Sequence, residues 1–240
     1  MEPIKVLGEP ALLLSDGTLV VADLHLGFEN ELRSKGINIP LKVDELSARM
    51  KNLIRSTSSK RLAILGDIKH HVAGPEKLEF LVVPEFFSAI RGELSELHVV
   101  LGNHDGDLEA LLPRNVVIHG SAGLAWGENW LTHGSTKLPK EATSSRRIIM
   151  GHVHPSVRIK DTMGYRYSFQ VWLSGAMKGG KGRTIIVIPS FNKYVGQLAM
   201  NEPTRANLRG PLLSKKEVDL ESLEAQTLDG HALGRLGDLT

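Results

Sequence analysis

The chain has 240 residues, of which 41% are hydrophobic and 23% are charged. This length and apolar content are sufficient for a full hydrophobic core and exclude a disordered chain. The sequence has no cysteine, which excludes disulfide scaffolds, thiol nucleophiles and cysteine-ligated metal sites, and its formal net charge of +2 is too small to indicate nucleic-acid binding by charge alone. Any bound metal must therefore use nitrogen and oxygen ligands.

No segment has the pattern of a signal peptide or of a membrane span. The first residues lack a basic region followed by an apolar stretch, and no uncharged apolar run approaches the ~18 residues that a membrane helix needs. We therefore expect a cytoplasmic protein without a membrane partner, and the absence of cysteine favours the same compartment.

From residue 11 to about residue 190, short β-branched runs alternate with longer segments of helical period, which is typical of a layered α/β domain. Helices are predicted over residues 40–55 and 76–94, with a break at Pro84 in the second. Strands are predicted over residues 11–14, 18–22, 61–65, 97–101, 116–119, 130–132, 147–150, 165–172 and 184–188. We expect a parallel first half and a hairpin-rich second half.

The composition changes after residue 200. Residues 201–240 hold 5 basic and 7 acidic side chains and recurrent leucines, with few β-branched or aromatic residues. We predict one folded domain over residues 1–200 and a C-terminal tail over residues 201–240, which is either disordered or loosely docked as an amphipathic helix.

Five of the predicted strands are followed by acidic, amide or imidazole side chains. Because ligands bind outside the carboxyl ends of strands in open α/β sheets, we expect these side chains to meet at one edge. The five sequences are Asp23-Leu24-His25, Gly66-Asp67-Ile68-Lys69-His70, Gly102-Asn103-His104-Asp105, His133-Gly134 and Gly151-His152-Val153-His154. In extended backbone, Asp23 with His25 and His152 with His154 would each point to one side and could bind one ion or two adjacent ions. A lone histidine at a strand end is more often structural, so the combination of motifs is what predicts a metal site.

In this order, the five motifs resemble those of the calcineurin-like metallophosphoesterases, and they cover residues 23–154. Within that superfamily, the Ala-Asp-Leu-His-Leu-Gly sequence of residues 22–27, the later Arg33, Gly36 and Pro40, and the Gly-Asp-Ile-Lys-His sequence resemble the phosphoesterases related to SbcD-type nucleases, including ligase-associated phosphoesterases. The Ile-Pro-Ser-Phe-Asn sequence of residues 188–192 resembles the terminal strand of an archaeal-type branch of that group. The resemblance implies a four-layered α/β/β/α sandwich with mixed sheets and a metal site at the carboxyl ends of the strands.

The resemblance also implies a division of ligands between two ions. One ion would be bound by Asp23, His25 and His154 and the other by Asn103, His133 and His152, with Asp67 bridging both. A hydroxide shared by the two ions would then be the nucleophile, and no covalent intermediate with the protein is required. Mixed imidazole and carboxylate ligands suit Mn, Fe, Co, Ni or Zn better than Mg or Ca, and the resemblance favours Mn.

Four further residues are candidates for contact with the substrate or for support of that contact. His104 is predicted to act on the phosphate as a general acid or charge stabiliser, with Asp105 orienting its ring. A structural pair is the alternative for these two residues. His70 is predicted either to contact the phosphate or to hydrogen-bond Asp67. Arg33 is predicted to contact an anionic substrate, with solvated surface as the alternative.

The leading functional hypothesis is a dinuclear metal-dependent phosphoesterase that hydrolyses phosphodiester bonds, with DNA or RNA as the substrate suggested by the resemblance. Hydrolysis of a small phosphate ester or a cyclic nucleotide is the second hypothesis. It is favoured by the lack of an obvious basic or aromatic series. It is also favoured by the separation of only 29 positions from His104 to His133, which leaves no room for the capping domain of SbcD-type nucleases. A non-catalytic scaffold with a phosphoesterase fold is the third hypothesis, and it is disfavoured because no position of the motif set is lost.

Overall fold

The computed structural model describes residues 2–179, 182–202 and 210–239. Its described part has three α-helices, α1 (Glu29–Ser34), α2 (Val43–Ser56) and α3 (Glu79–Arg91). Both long predicted helices are present. The break expected at Pro84 does not occur, because Val83 and Phe87 on either side of the proline are fully buried and packing against the sheet holds α3 in one piece.

The first sheet has six strands, which lie in sequence order from one edge to the other. The strands β3 to β6 are parallel, as predicted, whereas β1 and β2 form an antiparallel edge. The strands are β1 (Ile4–Lys5), β2 (Leu12–Leu13), β3 (Thr18–Val21), β4 (Arg61–Leu65), β5 (Glu96–Val100) and β6 (Val117–His119).

The second sheet has nine strands and is mixed. Its order is β13-β10-β11-β12-β9-β8-β7, and β14 pairs with both β11 and β15. The pairs β8 with β9 and β9 with β12 are parallel, whereas β10, β11 and β12 form antiparallel pairs. The strands are β7 (Leu124–Trp126), β8 (Asn129–Thr132), β9 (Arg147–Met150), β10 (Pro155–Lys160), β11 (Arg166–Ala176), β12 (Thr184–Val187), β13 (Leu198–Ala199), β14 (Glu224–Thr227) and β15 (Ala232–Arg235).

The two sheets stack face to face, and alternate residues of their strands enter different cores. In β3, Leu19 and Val21 pack with the helices, whereas Val20 faces the second sheet. In β9, Ile149 lies between the sheets, whereas Ile148 faces the outer side of the second sheet. Because both faces of these strands are buried, their sequences are continuous apolar runs. The expected four-layered α/β sandwich with mixed sheets is confirmed, and short 3-10 helices cover the outer face of the second sheet.

Residues 210–239 are folded against the second sheet. The strand β14 pairs with β11, and the buried side chains of Leu212, Leu213 and Leu223 belong to the core on the outer face of that sheet. This differs from the disordered tail or loosely docked helix expected for residues 201–240, because the recurrent leucines fill a core through turns and strands rather than one face of a helix. Residues 203–209 and 240 of that segment lie outside the described residues.

Within the described ranges, none of the helices combines the length and the apolar character that crossing a membrane requires.

Candidate metal centre

The predicted site residues follow five strands that belong to both sheets. In the first sheet, β3, β4 and β5 are parallel and adjacent, so their carboxyl ends lie at one edge. In the second sheet, β8 and β9 are also parallel neighbours. The two edges come together, and the site lies where the sheets meet.

Two groups of side chains converge there. In each group, the potential ligand atoms all lie within 4.8 Å of one another, so each group could hold a metal ion. The groups are Asp23, His25, Asp67 and His154, and Asp67, His133 and His152. Asp67 belongs to both, as expected for a carboxylate with two oxygens. The amide of Asn103 lies beside the second group, with its Oδ1 3.1 Å from Nε2 of His133.

Several ring nitrogens and carboxylate oxygens of the site lie close enough together to share one ion. Nε2 of His25 and Nε2 of His154 are 3.0 Å apart, and each lies 3.6 Å from an aspartate oxygen, of Asp67 and Asp23 respectively. Nε2 of His133 lies 3.3 Å from Oδ1 of Asp67 and 3.1 Å from Nδ1 of His152. A cation at the centre of such a set can be bound by all of these atoms at once.

The outer hydrogen bonds of two histidines determine which ring nitrogen faces the centre. Nδ1 of His133 lies 2.9 Å from the carbonyl oxygen of Leu65, and Nδ1 of His154 lies 2.8 Å from that of Gly196. When each Nδ1–H donates to its carbonyl, Nε2 of the neutral ring has no proton and points its lone pair into the site. This is the arrangement that protein metal ligands adopt, so the residues present fit metal binding.

The backbone of the site is strained. In the described chain, seven non-glycine residues have a positive φ, and five of them are predicted ligands: Asp23 (60°), His25 (44°), Asp67 (50°), His152 (75°) and His154 (43°). The i,i+2 pairs are therefore not in the extended backbone that the sequence suggested. The intervening Leu24 and Val153 are buried, as expected. Left-handed backbone in non-glycine residues costs about 1–3 kcal/mol each and is concentrated at functional sites, which supports a role for these positions.

Glycines allow the five loops to approach one another. A Cβ atom on Gly102 would overlap the carboxylate and the backbone nitrogen of Asp67, and one on Gly151 would lie 2.6 Å from Oδ2 of Asp23. The absence of a side chain at these two positions therefore lets the aspartates reach the centre.

Opposite charges within the site shift the pKa values of its ligands. Burial opposes ionisation of Asp67, but its hydrogen bond to His133 and the neighbouring imidazoles lower the pKa of its carboxyl group. Burial also opposes protonation of His133, but the hydrogen bond and charge of Asp67 raise the pKa of that imidazole to about 9. Burial and the charge of His133 lower the pKa of His152 to about 4. The buried Asp67 carboxylate is thus stabilised by positive charge beside it, and a divalent cation can supply that charge in place of a proton.

His104 lies at the edge of the centre, whereas the Asp105 carboxylate hydrogen-bonds to backbone N–H groups. Nε2 of His104 is 3.9 Å from Oδ2 of Asp67, and its Nδ1 contacts the carbonyl oxygen of His70. The carboxylate of Asp105 accepts hydrogen bonds from the backbone N–H groups of Ile68, Lys69 and Gly102, at 2.8, 3.3 and 2.8 Å. The predicted contact of Asp105 with the His104 ring is therefore not among the described contacts. Instead, the Asp105 carboxylate links the loops that follow β4 and β5. Burial and the charge of Asp67 raise the pKa of Asp105 to about 6.

The remaining two candidates differ in their distance from the centre. The His70 ring lies 5.3 Å from that of His25, but its Nε2 pairs with Glu31 at 2.5 Å instead of with Asp67. Arg33 lies exposed on α1, and among the described residues its side chain has no hydrogen bond or ion pair with the site. The structure thus brings His70 to the site and leaves Arg33 outside it.

Sequence reasoning missed a supporting loop at residues 190–196. The Ser190 hydroxyl donates to the carbonyl oxygen of Asp23 at 3.0 Å, and the Asn192 side-chain amide donates to that of Leu24 at 2.9 Å. The Gly196 carbonyl oxygen completes the loop by accepting from His154. These polar residues follow a predicted strand, as the ligands do, and this is the signal that could have identified them.

A cavity of about 430 Å³ opens beside His104. It is lined mainly by polar side chains, which include Asn30, Glu31, His70, His71, Glu76 and His104. It lies next to the candidate centre, because His104 borders both.

No protein-family model matches this chain, and no curated protein matches its sequence. Among solved structures, the nuclease MPE of Pseudomonas putida is similar with a TM-score of 0.62 at 18% identity, over 97% of this chain and 99% of that chain. Yfce, a phosphoesterase from E. coli, gives a TM-score of 0.40 at 16% identity, over 91% of this chain and 97% of that chain. The first of these similarities supports the assignment of the fold. The chain therefore has a metallophosphoesterase-like fold, with groups of aspartate and histidine side chains at its strand ends that could hold metal ions.

Proposed function

We propose that this chain is a dinuclear metal-dependent phosphoesterase that hydrolyses phosphodiester bonds. The observation that carries the proposal is the convergence of two ligand groups on one shared carboxylate, that of Asp67. The order and spacing of the motifs support a place among the calcineurin-like enzymes, in the SbcD-related group that includes ligase-associated phosphoesterases.

The proposed ligands divide as the motif resemblance implies. Asp67 serves both ions, and Mn²⁺ is the ion that we propose. One ion would be held by Asp23, His25 and His154, and the other by Asn103, His133 and His152. When bound, two divalent ions lower the pKa of a water molecule and stabilise the negative charge that develops on the phosphate.

His104 is the proposed catalytic residue. Its ring lies between the candidate centre and the cavity of about 430 Å³, where the leaving group of a phosphoester could lie. From there, Nε2 can donate a proton to the leaving oxygen or stabilise the phosphate, which typically contributes ~10²–10⁴ in rate. Asp105 is a positioning residue in this proposal, because it fixes the loops that carry Asp67 and Asn103.

Nucleic acid is the substrate class that we propose, by analogy with the nuclease whose fold this chain shares. A small phosphate ester or cyclic nucleotide is the second candidate, and the volume and lining of the cavity beside His104 favour it. That cavity has the volume of a small-ligand site, and Glu31 and Glu76 on its wall disfavour a further phosphate inside it.

The test is metal binding and hydrolysis measured on the same samples. The purified chain is stripped of metal, reloaded with Mn²⁺ and assayed on bis(p-nitrophenyl) phosphate, p-nitrophenyl phosphate, and single-stranded and duplex DNA. We expect two ions per chain and metal-dependent cleavage of the diester. Asp67→Asn should lose both, whereas Asp44→Asn, which changes an exposed carboxylate on α2, should retain both.

The outcomes separate the proposals. Cleavage of DNA supports a nuclease, whereas cleavage of the small diester without any cleavage of DNA supports the second candidate. Two bound ions without turnover on any substrate would contradict the enzymatic proposal, and a chain that binds no ion would contradict the metal centre itself.

A further inference from the structure

A two-stranded arm projects from the second sheet next to the candidate centre. It is formed by β10 and the first half of β11, which pair in antiparallel register from Ser156 with Gln170 to Lys160 with Arg166. The turn at its tip is well defined, because the carboxylate of Asp161 accepts hydrogen bonds from the backbone N–H groups of Met163 and Tyr165, both at 2.9 Å. The arm is therefore an ordered element rather than a loose loop.

One face of the arm carries a series of exposed aromatic rings. Tyr165, just before β11, and Tyr167 and Phe169 within it are 61%, 50% and 42% exposed. The i,i+2 spacing places Tyr167 and Phe169 on the same face of the strand, and Tyr165 continues that spacing. Their cross-strand neighbours on that face are Ile159 opposite Tyr167 and Val157 opposite Phe169. Alternation in the strand hides this series in the sequence, because polar residues separate the rings. Three large rings left open to water on one narrow face indicate a binding surface.

The other face of the arm is basic. Lys160 lies directly opposite Arg166 in the register, and like charges in that position destabilise a strand pair. Neither side chain has an acidic partner among the described residues, whereas Arg158 on the same face is paired with Glu202 at 2.8 Å. An anionic ligand would relieve this repulsion, and a second copy of the same arm would increase it.

The spacing of the rings selects the kind of anion. Residues on one face of a strand repeat about every 6.6 Å, which is about twice the ~3.4 Å rise per nucleotide of a duplex strand. Bases that lie on successive rings must therefore be unstacked from one another, as they are in an extended single strand. Each base has a flat face that an aromatic ring can stack on regardless of sequence.

The arm also starts at the candidate centre. Pro155, the first residue of β10, follows the proposed ligand His154 directly. The six residues of β10 span at most about 20 Å, so a strand bound along the arm would have its next nucleotides near the metals. At the base of the arm, a cavity of about 700 Å³ lies beside Phe169 and is lined by Gln170, Leu228 and Leu233 among others. This volume exceeds what one nucleobase needs.

We propose that the arm binds single-stranded nucleic acid, with the rings of Tyr165, Tyr167 and Phe169 stacking on bases and with Lys160 and Arg166 contacting phosphates. Because the arm is only two strands wide, the long basic side chains can reach its edges from the opposite face. This inference rests on the proposed function, since it assigns a place for the substrate of that same site.

The test is binding of oligonucleotides in EDTA, where no hydrolysis occurs. Fluorescence anisotropy would be measured with a fluorescein-labelled oligodeoxythymidylate of about 12 nucleotides, within the usual site sizes, and with a duplex of the same length. We expect the single strand to bind more tightly than the duplex. Tyr165→Ala and Tyr167→Ala should each weaken its binding by about five- to 150-fold. Tyr167→Phe keeps the ring and should bind as the unaltered chain does. Phe80→Ala, which removes an exposed ring on α3, is the matched control and should change nothing.

Salt dependence tests the basic face separately. Replacing both Lys160 and Arg166 by glutamine should make the slope of log affinity against log salt less negative by about 1.4, because a single strand then loses two phosphate contacts. Circular dichroism and thermal unfolding of each variant would show that the fold is retained.

Unchanged affinity in both alanine variants would overturn the proposal. So would conversion of a dimer into a monomer by Tyr167→Ala with no effect on affinity, since the arm would then be an interface between copies. The two proposals fail separately in this design. Tight, ring-dependent binding by a chain that hydrolyses nothing would refute the proposed function alone, and hydrolysis of DNA by a chain whose arm variants bind normally would refute the arm alone.

Discussion

At the scale of single residues, the candidate centre separates side chains that would bind metal from one that would act on the substrate. The Asp67 side chain is 3% exposed and belongs to both ligand groups, whereas the His104 side chain is 21% exposed and belongs to neither. His104 still touches the centre, because its backbone N–H donates to Oδ1 of Asp67 at 3.0 Å. A substitution that keeps this backbone contact should therefore leave the ligands in place.

We predict that His104→Gln retains both ions and lowers the turnover of a phosphodiester by about 10²–10⁴-fold, the usual contribution of a general acid. Metal content by inductively coupled plasma mass spectrometry and turnover of bis(p-nitrophenyl) phosphate on the same sample would check this. Asp67→Asn is the comparison, since it should lose ions and turnover together. Equal loss of metal in the two variants would contradict the separation of roles.

Much of this residue-scale picture follows from the sequence, and the remainder does not for physical reasons. The motifs after the strands predict which side chains converge, since parallel strands end at one edge. They do not predict the positive φ of Asp23 or His154, because that conformation is imposed by contacts with other loops. Nor do they predict the carbonyl oxygens of Leu65 and Gly196 that orient two imidazoles, because every residue type has a backbone carbonyl group.

At the scale of elements, residues 210–239 are a structural part of the second sheet. Leu223, just before β14, is fully buried and lies against Gly175 of β11, where an added Cβ would be 2.6 Å from Cδ2 of the leucine. We predict that Leu223→Ala lowers the free energy of unfolding by about 2–5 kcal/mol, through lost burial and the cavity left behind. Chemical denaturation monitored by circular dichroism would measure it.

Leu7→Ala is the matched control for that variant, because Leu7 is 75% exposed. It should leave the free energy of unfolding almost unchanged. If Leu223→Ala also left the free energy of unfolding almost unchanged, this segment would behave as the mobile tail that its composition suggested.

The edges of the two sheets meet at a pair of histidines. Nδ1 of His98 in β5 lies 3.0 Å from Nε2 of His119 in β6, and the His98 ring also contacts Trp126 of the second sheet at 4.8 Å between centroids. On its other side, Nε2 of His98 lies 3.5 Å from a carboxylate oxygen of Glu96. Burial and the charge of His98 lower the pKa of His119. Protonation of His119 therefore opposes folding.

The sign of the resulting pH dependence follows from the direction of that shift. Well above pH ~6.5 the His119 imidazole is neutral in both the folded and the unfolded chain. As the pH falls below that value, the unfolded chain takes up a proton more readily than the folded one, so stability is lost. We predict that His119→Gln makes the fall of the melting temperature between pH 7 and pH 5 shallower. His231→Gln, at an exposed position, should not do so, and parallel curves for His119→Gln and the unaltered chain would contradict the prediction.

The elements themselves were largely predictable. All nine predicted strands are present, and most of them are apolar runs buried on one or both faces. The missed strands include β1 and β13, which are two residues long and depend on their neighbours rather than on their own periodicity. The strand β14 was missed because its sequence, Glu-Ala-Gln-Thr, has little β-propensity, and its pairing with β11 and burial of Ala225 hold it in place.

At the scale of the whole molecule, the candidate centre joins the two sheets. Asp23, His25, Asp67 and Asn103 follow strands of the first sheet, whereas His133, His152 and His154 follow strands of the second. The described contacts across this junction include the close pair of His25 and His154 ring nitrogens, and five of the proposed ligands have left-handed backbone. Without cations, the buried Asp23 and Asp67 carboxylates depend on neighbouring imidazoles for charge balance, and the junction is thus a weak part of the fold.

Metal binding should therefore stabilise the entire chain and not only order the site. Mn²⁺ that binds the folded but not the unfolded state at 100 times its dissociation constant adds about 2.7 kcal/mol to the free energy of unfolding. For a chain of this size, that corresponds to a rise of about 5–11 °C in the melting temperature. Differential scanning calorimetry of stripped and Mn²⁺-reloaded protein would measure the rise. Asp44→Asn should show the full rise, whereas Asp67→Asn, which removes a charge from both ligand groups, should show little of it. A full rise in Asp67→Asn would mean that the ions stabilise the chain from another place, and the two sheets would then not be joined through this centre.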